Sequence, residues 1–289
     1  MNAFDMRITA IWSTVDEEPS TTRSLGGAMK PPATLFHFSY HKCLTVYFMR
    51  VMKRALVTLG PHGLTTKFRH LNSRAEWLNQ VKEEYVMVSL NNSLPDLDSL
   101  GDVRMSRFMR DPRDLLVSGY FYHRRGAEPW CHVKSPTDAD WRMVNGTVPA
   151  AMPNEMSYAE YLQSRDVETG LLAELEFRRR HFESMAAWPE EDERLLVFDY
   201  SDIIGNEEFV YRRLMDHYRI PGLRKAVGMH AVRKFSAAAA GNRTDHVRNP
   251  QPGQWRGVLT PGVLETLQEQ HPVLLEAYNR QFAKRARVG

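Results

Sequence analysis

Apolar positions along the chain switch between two spacings, and each switch marks a change of element. Leu35, Phe36, Phe38 and Tyr40 form a short run suited to a strand, while after Thr45 apolar residues recur at Val46, Phe48–Met49 and Met52, which is helical spacing. Gly60–Gly63 reads as a turn, Leu64–Leu71 as a second strand ending near His70, and Arg74–Lys82 as a helix. Glu84–Leu90 is a compact third strand, followed by a polar loop over Asn91–Asp98 that contains Pro95. Val103–Met109 suits a fourth strand, and beyond it Asp111 or Asp114 can cap a helix with Pro112 in its first turn. That helix turns Leu115, Leu116, Gly119 and Tyr120 inward. Residues 126–156, rich in Pro, Trp, Gly and Asp, show no period and read as an insertion of the kind that forms a lid or acceptor site. Two helices follow, Ser157–Gln163 and Gly170–Trp188, the second burying Leu171, Leu172, Leu175, Phe182 and Met185 and leaving the Arg178–Arg180 run in solvent. A buried strand over Arg194–Tyr200 and a helix from Asn206 to Tyr218 complete the alternation. Strands alternating with helices predict an α/β fold with a central, mostly parallel sheet covered on both faces. With no internal repeat and no linker, a single domain over 31–289 is expected, preceded by a loose leader at 1–30.

Composition narrows the setting more than the chemistry. Across 289 residues the net charge is +3, too mild to demand a nucleic-acid partner and compatible with a local positive pocket for a small anion. The only cysteines, Cys43 and Cys131, match no metal or redox spacing, which favours a reducing, cytoplasmic setting. No run of 18 apolar residues occurs, and the acidic Asp16-Glu17-Glu18 stretch interrupts any signal-peptide core, so no membrane association is expected.

The first candidate for chemistry is the polar turn His41–Thr45 between the first strand and its helix. Such a turn aims backbone N–H groups and the positive end of a helix dipole at one spot, where a phosphate is stabilised. Lys42 and Thr45 add an ammonium and a hydroxyl. The P-loop signature is absent because no glycine pair precedes Lys42, and an ordinary buried strand–helix unit with a solvated lysine fits the stretch as well. The second candidate is Arg110-Asp-Pro-Arg-Asp-Leu-Leu-Val-Ser118, with an arginine at a strand end and a serine two turns into the next helix. A planar guanidinium and a hydroxyl suit a phosphate, although a capped helix with surface ion pairs would read the same way.

Taken together and in this order, the motifs resemble the sulfotransferase family that uses 3′-phosphoadenosine 5′-phosphosulfate (PAPS). Tyr40-His-Lys-Cys-Leu-Thr-Val-Tyr47 is similar to that family's 5′-phosphosulfate loop, and Arg110–Tyr120 to its 3′-phosphate motif. Leu196–Asp202 resembles a later strand of the family, and Arg248-Asn-Pro-Gln-Pro-Gly-Gln-Trp-Arg256 its C-terminal phosphate loop. The resemblance implies that Lys42 stabilises the leaving phosphate and that His41, Cys43, Leu44, Thr45 and Val46 surround the 5′-phosphate. It further implies an adenine contact from Tyr47 and Phe235, a 3′-phosphate held by Arg110, Ser118 and Arg248, and a place for Tyr200 at the same site. Leu44 replaces a glycine of the pattern, Val46 a threonine, and Asn249-Pro250 a Lys-Gly pair.

Sulfuryl transfer through a loose transition state relies on positioning and electrostatics, and the reading calls for no metal. An acceptor hydroxyl must also lose a proton to a base. His70 is the expected base, with Asp96 and Asp98 as rivals; an amine acceptor would need one less. His123 and His132 are candidates for the acceptor wall, as are Trp130 and Trp141. Arg256–Glu265 resembles a short dimer segment of the cytosolic members, but Thr260-Pro261 reads equally as a helix start. The expected protein is therefore a monomer or homodimer moving a sulfuryl group from PAPS to a small-molecule acceptor, releasing adenosine 3′,5′-bisphosphate (PAP). A silent nucleotide-binding module and a P-loop-like kinase are the alternatives.

Overall fold

The computed structural model describes residues 34–60, 63–66, 68–72, 87–189, 191–236 and 250–286. The leader, the helix expected over Arg74–Lys82 and the phosphate contact expected of Arg248 lie outside them. Five parallel strands form the central sheet: β1 (Leu35–Ser39), β4 (Phe68–Leu71), β5 (Met87–Asn91), β6 (Arg104–Met109) and β7 (Leu195–Asp199), in the order β4-β5-β1-β6-β7. β1 is the middle strand and all five of its residues are buried, the polar His37 and Ser39 included, because both faces of the sheet are covered. The single strand expected over Leu64–Leu71 is instead two. β3 (Gly63–Thr66) pairs antiparallel with β2 (Val57–Gly60) in a separate hairpin, and only β4 joins the sheet. An apolar spacing continuous across both elements conceals that division.

Helices cover both faces of the sheet. One apolar core lies beneath α1 (Thr45–Ala55), where Phe48, Val51 and Met52 meet Val210, Leu214 and Met215 of α7 (Glu207–His217) and Met229 and Val232 of α8 (Gly222–Phe235). The other lies beneath α2 (Pro112–Arg124), α3 (Tyr158–Ser164), α4 (Val167–Phe177) and α5 (Arg179–Ala186), joined by α9 (Pro261–Gln270) and α10 (Pro272–Ala286). Between β7 and α7 runs the short α6 (Tyr200–Ile203), capped by Asp199.

At the start of α2 the two cap candidates separate. Asp111 is the cap, accepting from Arg113 N–H, with Pro112 at the first helical position. Asp114 instead accepts the N–H groups of Gly253 and Trp255 at 2.5 and 3.0 Å, fastening the C-terminal loop to α2. At the far end of that loop, Thr260 caps α9 with Pro261 at its first position, so this segment is a helix start rather than an extended pairing strand.

Two further expectations change. The helix expected over Gly170–Trp188 is broken at Arg178, whose φ of −85° and ψ of 1° end α4 and begin α5. Arg178 is also not in solvent: it is 0% exposed, while Arg179 is exposed and Arg180 pairs with Asp138 at 2.5 Å. The insertion at 126–156 is built from the 3-10 turns Pro129–His132 and Arg142–Val144, with Trp141 fully buried against Trp130, Tyr158 and Phe177.

Candidate active site

In an open parallel sheet, ligands bind outside the carboxyl ends of the strands. Here those ends deliver a set of polar side chains to one place. β1 leads into the turn His41–Thr45, β5 into Asn92, β6 into Arg110 and β7 into Tyr200.

The turn has an unusual backbone. Lys42 and Leu44 both lie in the left-handed region, with φ of 75° and 62°, on either side of Cys43. Such conformations alternate N–H groups toward a common concavity and cost a non-glycine residue about 1–3 kcal/mol each, so surrounding bonds must hold them. Cys43 N–H donates to Tyr40 C=O at 2.9 Å, and His41 N–H donates to Asn92 Oδ1 at 2.7 Å. Asn92 is itself fixed, donating its N–H to Ser39 C=O and accepting at its carbonyl from Asn145 Nδ2. Thr45 opens α1 but spends its hydroxyl inside the protein, 2.9 Å from Ser39 Oγ. Val46 is exposed, and Cys43 is buried with its thiol pushed up to about 11 by burial, so it stays protonated at neutral pH.

Lys42 is half-buried and stands over the Tyr122 ring, its Nζ 3.8 Å from the ring centroid. Burial, aided by the charges of Arg110, Arg125 and Arg178, lowers its pKa to about 7, with Glu128 opposing. An ammonium destabilised to that extent gains strongly from an arriving anion. Tyr122 is held by its hydroxyl, which donates to Glu128 at 2.6 Å.

Arg110 adjoins the turn directly. It is 4% exposed, donates from Nη1 to Lys42 C=O at 3.2 Å, and lays its guanidinium 4.0 Å from the centroid of the Tyr200 ring. Its Nε is buried with no hydrogen-bond partner, and among the described residues it forms no ion pair with a carboxylate. Burying a guanidinium without a countercharge is costly, and an anionic ligand removes that cost. Ser118 is half-buried on α2, two turns beyond Arg110. Tyr200 is positioned by its hydroxyl, which donates to Pro250 C=O at 2.8 Å.

The two aromatic residues expected at a base-binding slot are near one another but differently occupied. Tyr47 sits edge-on to Tyr211 and donates to Val232 C=O at 3.1 Å. Phe235, one turn further along α8, has the Arg54 guanidinium 4.4 Å from its ring centroid.

His70 and its rivals are not brought to Lys42. His70 lies in the row His37–Ser89–His70, two residues short of the end of β1, and its ring bonds Ser89 Oγ and Asn72 Oδ1 at 3.3 and 3.1 Å. Burial lowers its pKa to about 4, and the neighbouring charge is Lys53, in the last turn of α1. Since α1 begins just after the Lys42 turn, Lys53 stands about 12 Å further along its axis. Asp96 and Asp98 are exposed on a loop that turns back to the amino end of β7, where Arg194 donates to Leu97 C=O and Gly101 C=O.

What the turn does adjoin is a buried network that the motifs do not contain. The His41 ring stacks on that of His123, centroids 5.2 Å apart. His123 Nδ1 is 2.8 Å from Glu174 Oε2, which also accepts from Tyr158 Oη at 2.8 Å, while Glu174 Oε1 accepts from Arg178 Nε at 2.7 Å. All four side chains are fully buried. Burial pushes the Glu174 carboxyl up, but its pairing with His123 and Arg178 and the hydrogen bonds from His123 and Tyr158 outweigh it and hold the group below its ordinary value. The signal for this network was periodicity: Leu171, Glu174, Leu175, Arg178 and Phe182 recur at helical spacing, placing the charged pair within the buried stripe.

Among the described residues no group of three or more His, Cys, Asp or Glu side chains is arranged to hold a metal ion, and no helix is long and apolar enough to cross a membrane. By sequence, no protein family and no curated protein matches the chain. Among solved structures it is similar to mouse sulfotransferase SULT7A1 complexed with PAP, at 13% identity over 83% of each chain with a TM-score of 0.44. It is also similar to retinol dehydratase in complex with androsterone and inactive cofactor PAP, at 14% identity and a TM-score of 0.47, over 84% of this chain and 81% of that one. Neither likeness decides what this chain does; its own side chains have to.

Proposed function

We propose that the protein transfers a sulfuryl group from PAPS to a hydroxyl or amine of a small-molecule acceptor. The observation that carries this reading is the pairing of Lys42 with Arg110. A half-buried ammonium and a buried guanidinium, the latter without a carboxylate partner, meet around one left-handed turn at the carboxyl ends of adjacent strands. The two cations suit a ligand with two separate phosphate groups. The 5′-phosphosulfate belongs at the turn 41–46, and the 3′-phosphate at Arg110 with Ser118. Tyr200 backs the Arg110 guanidinium, and Tyr47 with Phe235 forms the adenine side once Arg54 yields the Phe235 face.

In the transfer, the acceptor oxygen or nitrogen forms a bond to sulfur as the bond from sulfur to the bridging oxygen breaks. The electron pair stays on the 5′-phosphate, and Lys42 neutralises the charge developing there. A magnesium-dependent kinase is disfavoured by the residues themselves: Cys43 stands where such a loop places a hydroxyl for the metal. A silent nucleotide-binding module is the second reading, favoured by the Thr45 hydroxyl being engaged with Ser39.

Two experiments test the reading. Lys42 titrates near pH 7 in the free protein, and an arriving phosphate favours its charged form. PAP affinity is therefore greatest below about pH 7 and weakens above it, by at most about tenfold per pH unit for one linked proton. Calorimetry in two buffers of different ionisation enthalpy should show proton uptake approaching about one per PAP at alkaline pH. Binding that is flat with pH, or that requires magnesium, would count against PAPS. Separately, His70→Asn should leave both PAP affinity and PAPS turnover within about threefold of the parent, under ~1 kcal/mol. A large turnover loss in that variant would restore His70 as the base.

A further inference from the structure

We infer that His123, held by Glu174 and stacked against His41 beside the Lys42 turn, is the general base that deprotonates the acceptor. The inference rests on the PAPS-transfer reading and adds a residue to which that reading assigns no part. A carboxylate only accepts hydrogen bonds, so the 2.8 Å contact between Glu174 Oε2 and His123 Nδ1 places the imidazole proton on Nδ1. The lone pair then lies on Nε2, which is buried and has no hydrogen-bond partner. A buried basic nitrogen left open in this way, on a ring adjoining the turn that carries Lys42, is suited to a substrate proton.

The contacts around Glu174 and the ring orient the imidazole. Glu174 is fixed from three sides by His123, Tyr158 and Arg178. Gly119 lets the pair lie against α2, since a Cβ there would collide with Glu174 Oε1 and Arg178 Nη2. Trp130 and Phe177 stand edge-on to the His123 ring, each 4.9 Å away between centroids. Phe177 belongs to a helix, whereas Trp130 is half-buried on the turn Pro129–His132, so the acceptor enters by displacing Trp130.

Charged and titratable groups face His123 from every packed element: His41 and Lys42 from the turn, Tyr122 from its own helix, Tyr158 from α3, Glu174 and Arg178 from α4 and its end, and His181 from α5. Burial, with Arg178 and Lys42, lowers its pKa against the opposing pull of Glu174, keeping the ring neutral at physiological pH. In the step itself the acceptor O–H gives its proton to Nε2 while its oxygen bonds to sulfur and the bridging S–O bond breaks, leaving PAP. The imidazolium, paired with Glu174, then releases the proton to solvent.

The test follows PAP release from PAPS by wild type, His123→Asn and Glu174→Gln, with 2-naphthol, 2-naphthylamine or water as acceptor, alongside PAP calorimetry and thermal melting. For 2-naphthol, His123→Asn should lose about 10²–10⁴-fold in turnover, keep PAP affinity within about threefold, and lose the acidic limb of the pH profile of kcat/KM. In Glu174→Gln that limb should move to lower pH, because removing the carboxylate charge makes the imidazolium harder to form; a purely structural role would leave it in place. His123→Asn turnover within about tenfold of wild type, with the acidic limb retained, overturns the inference and leaves the PAPS reading standing. Wild type that fails to bind PAP removes the PAPS reading itself. PAP binding without release from PAPS for any acceptor makes the protein a silent binder and removes the base.

Discussion

Lys42→Ala is expected to reduce PAPS turnover by about 10²–10³-fold while weakening PAP binding much less. The split follows from where charge changes. In the bound ground state the 5′-phosphate is shared among several donors of the turn, but negative charge on the bridging oxygen grows only as the S–O bond breaks. A point charge on a four-carbon stem, seated against the Tyr122 ring, meets that growth directly. Single-turnover kinetics separate the two effects, and equal losses in PAP affinity and turnover would reduce Lys42 to a uniform binding group. Lys42→Arg should not rescue fully, since the fork of a guanidinium does not occupy the place of a compact ammonium.

The largest effect on stability is expected at Glu174. Glu174→Ala strands Arg178 as an uncompensated charge in a fully buried site and should cost about 3–5 kcal/mol. For a chain of this size that is a fall of about 5–8 °C in Tm. Combining it with Arg178→Met should recover a good part of the loss, because the buried charge is then gone and the volume is filled. Gly119→Ala should destabilise in the same direction, as its Cβ pushes against both members of the pair. Differential scanning calorimetry of wild type and the three variants forms the test; a double variant no more stable than Glu174→Ala would mean the charge is not what costs.

These two sites illustrate how far the sequence can be read. The Lys42 turn is legible because its elements are local: a strand, a polar turn and an amphipathic helix lie within Leu35–Ala55, and the spacing alone marks both ends. The α/β alternation carries the parallel sheet for the same reason. Arg110 is legible as the strand-end residue before an Asp–Pro helix start, and Asp111 and Pro112 occupy the expected cap and first position. The Glu174–His123 network escapes such a reading because its members come from different helices, separated by 51 residues, and only packing brings them together. Arg178 was hidden by its neighbours: three consecutive arginines suggest a solvated face, yet one of every three or four helical positions points inward whatever its charge. His70 is set apart from Lys42 for a geometric reason. A strand-end histidine can belong to the last row or to one below it, and the register of β4 on β5 sets it below, facing Ser89. The hairpin β2–β3 could not be separated from β4 because apolar spacing records burial, not which sheet a strand joins.

The claim on which the rest depends is that two cations, Lys42 and Arg110, bind two separate phosphate groups of one nucleotide. Isothermal titration of PAP against AMP, on wild type and Arg110→Ala, measures this directly. With charge-assisted hydrogen bonds contributing about 1.5–3 kcal/mol each, wild type should prefer PAP by about 10²-fold, and Arg110→Ala should abolish most of that preference while binding AMP as before. Equal affinity for PAP and AMP in wild type, or a preference that survives in Arg110→Ala, would contradict it.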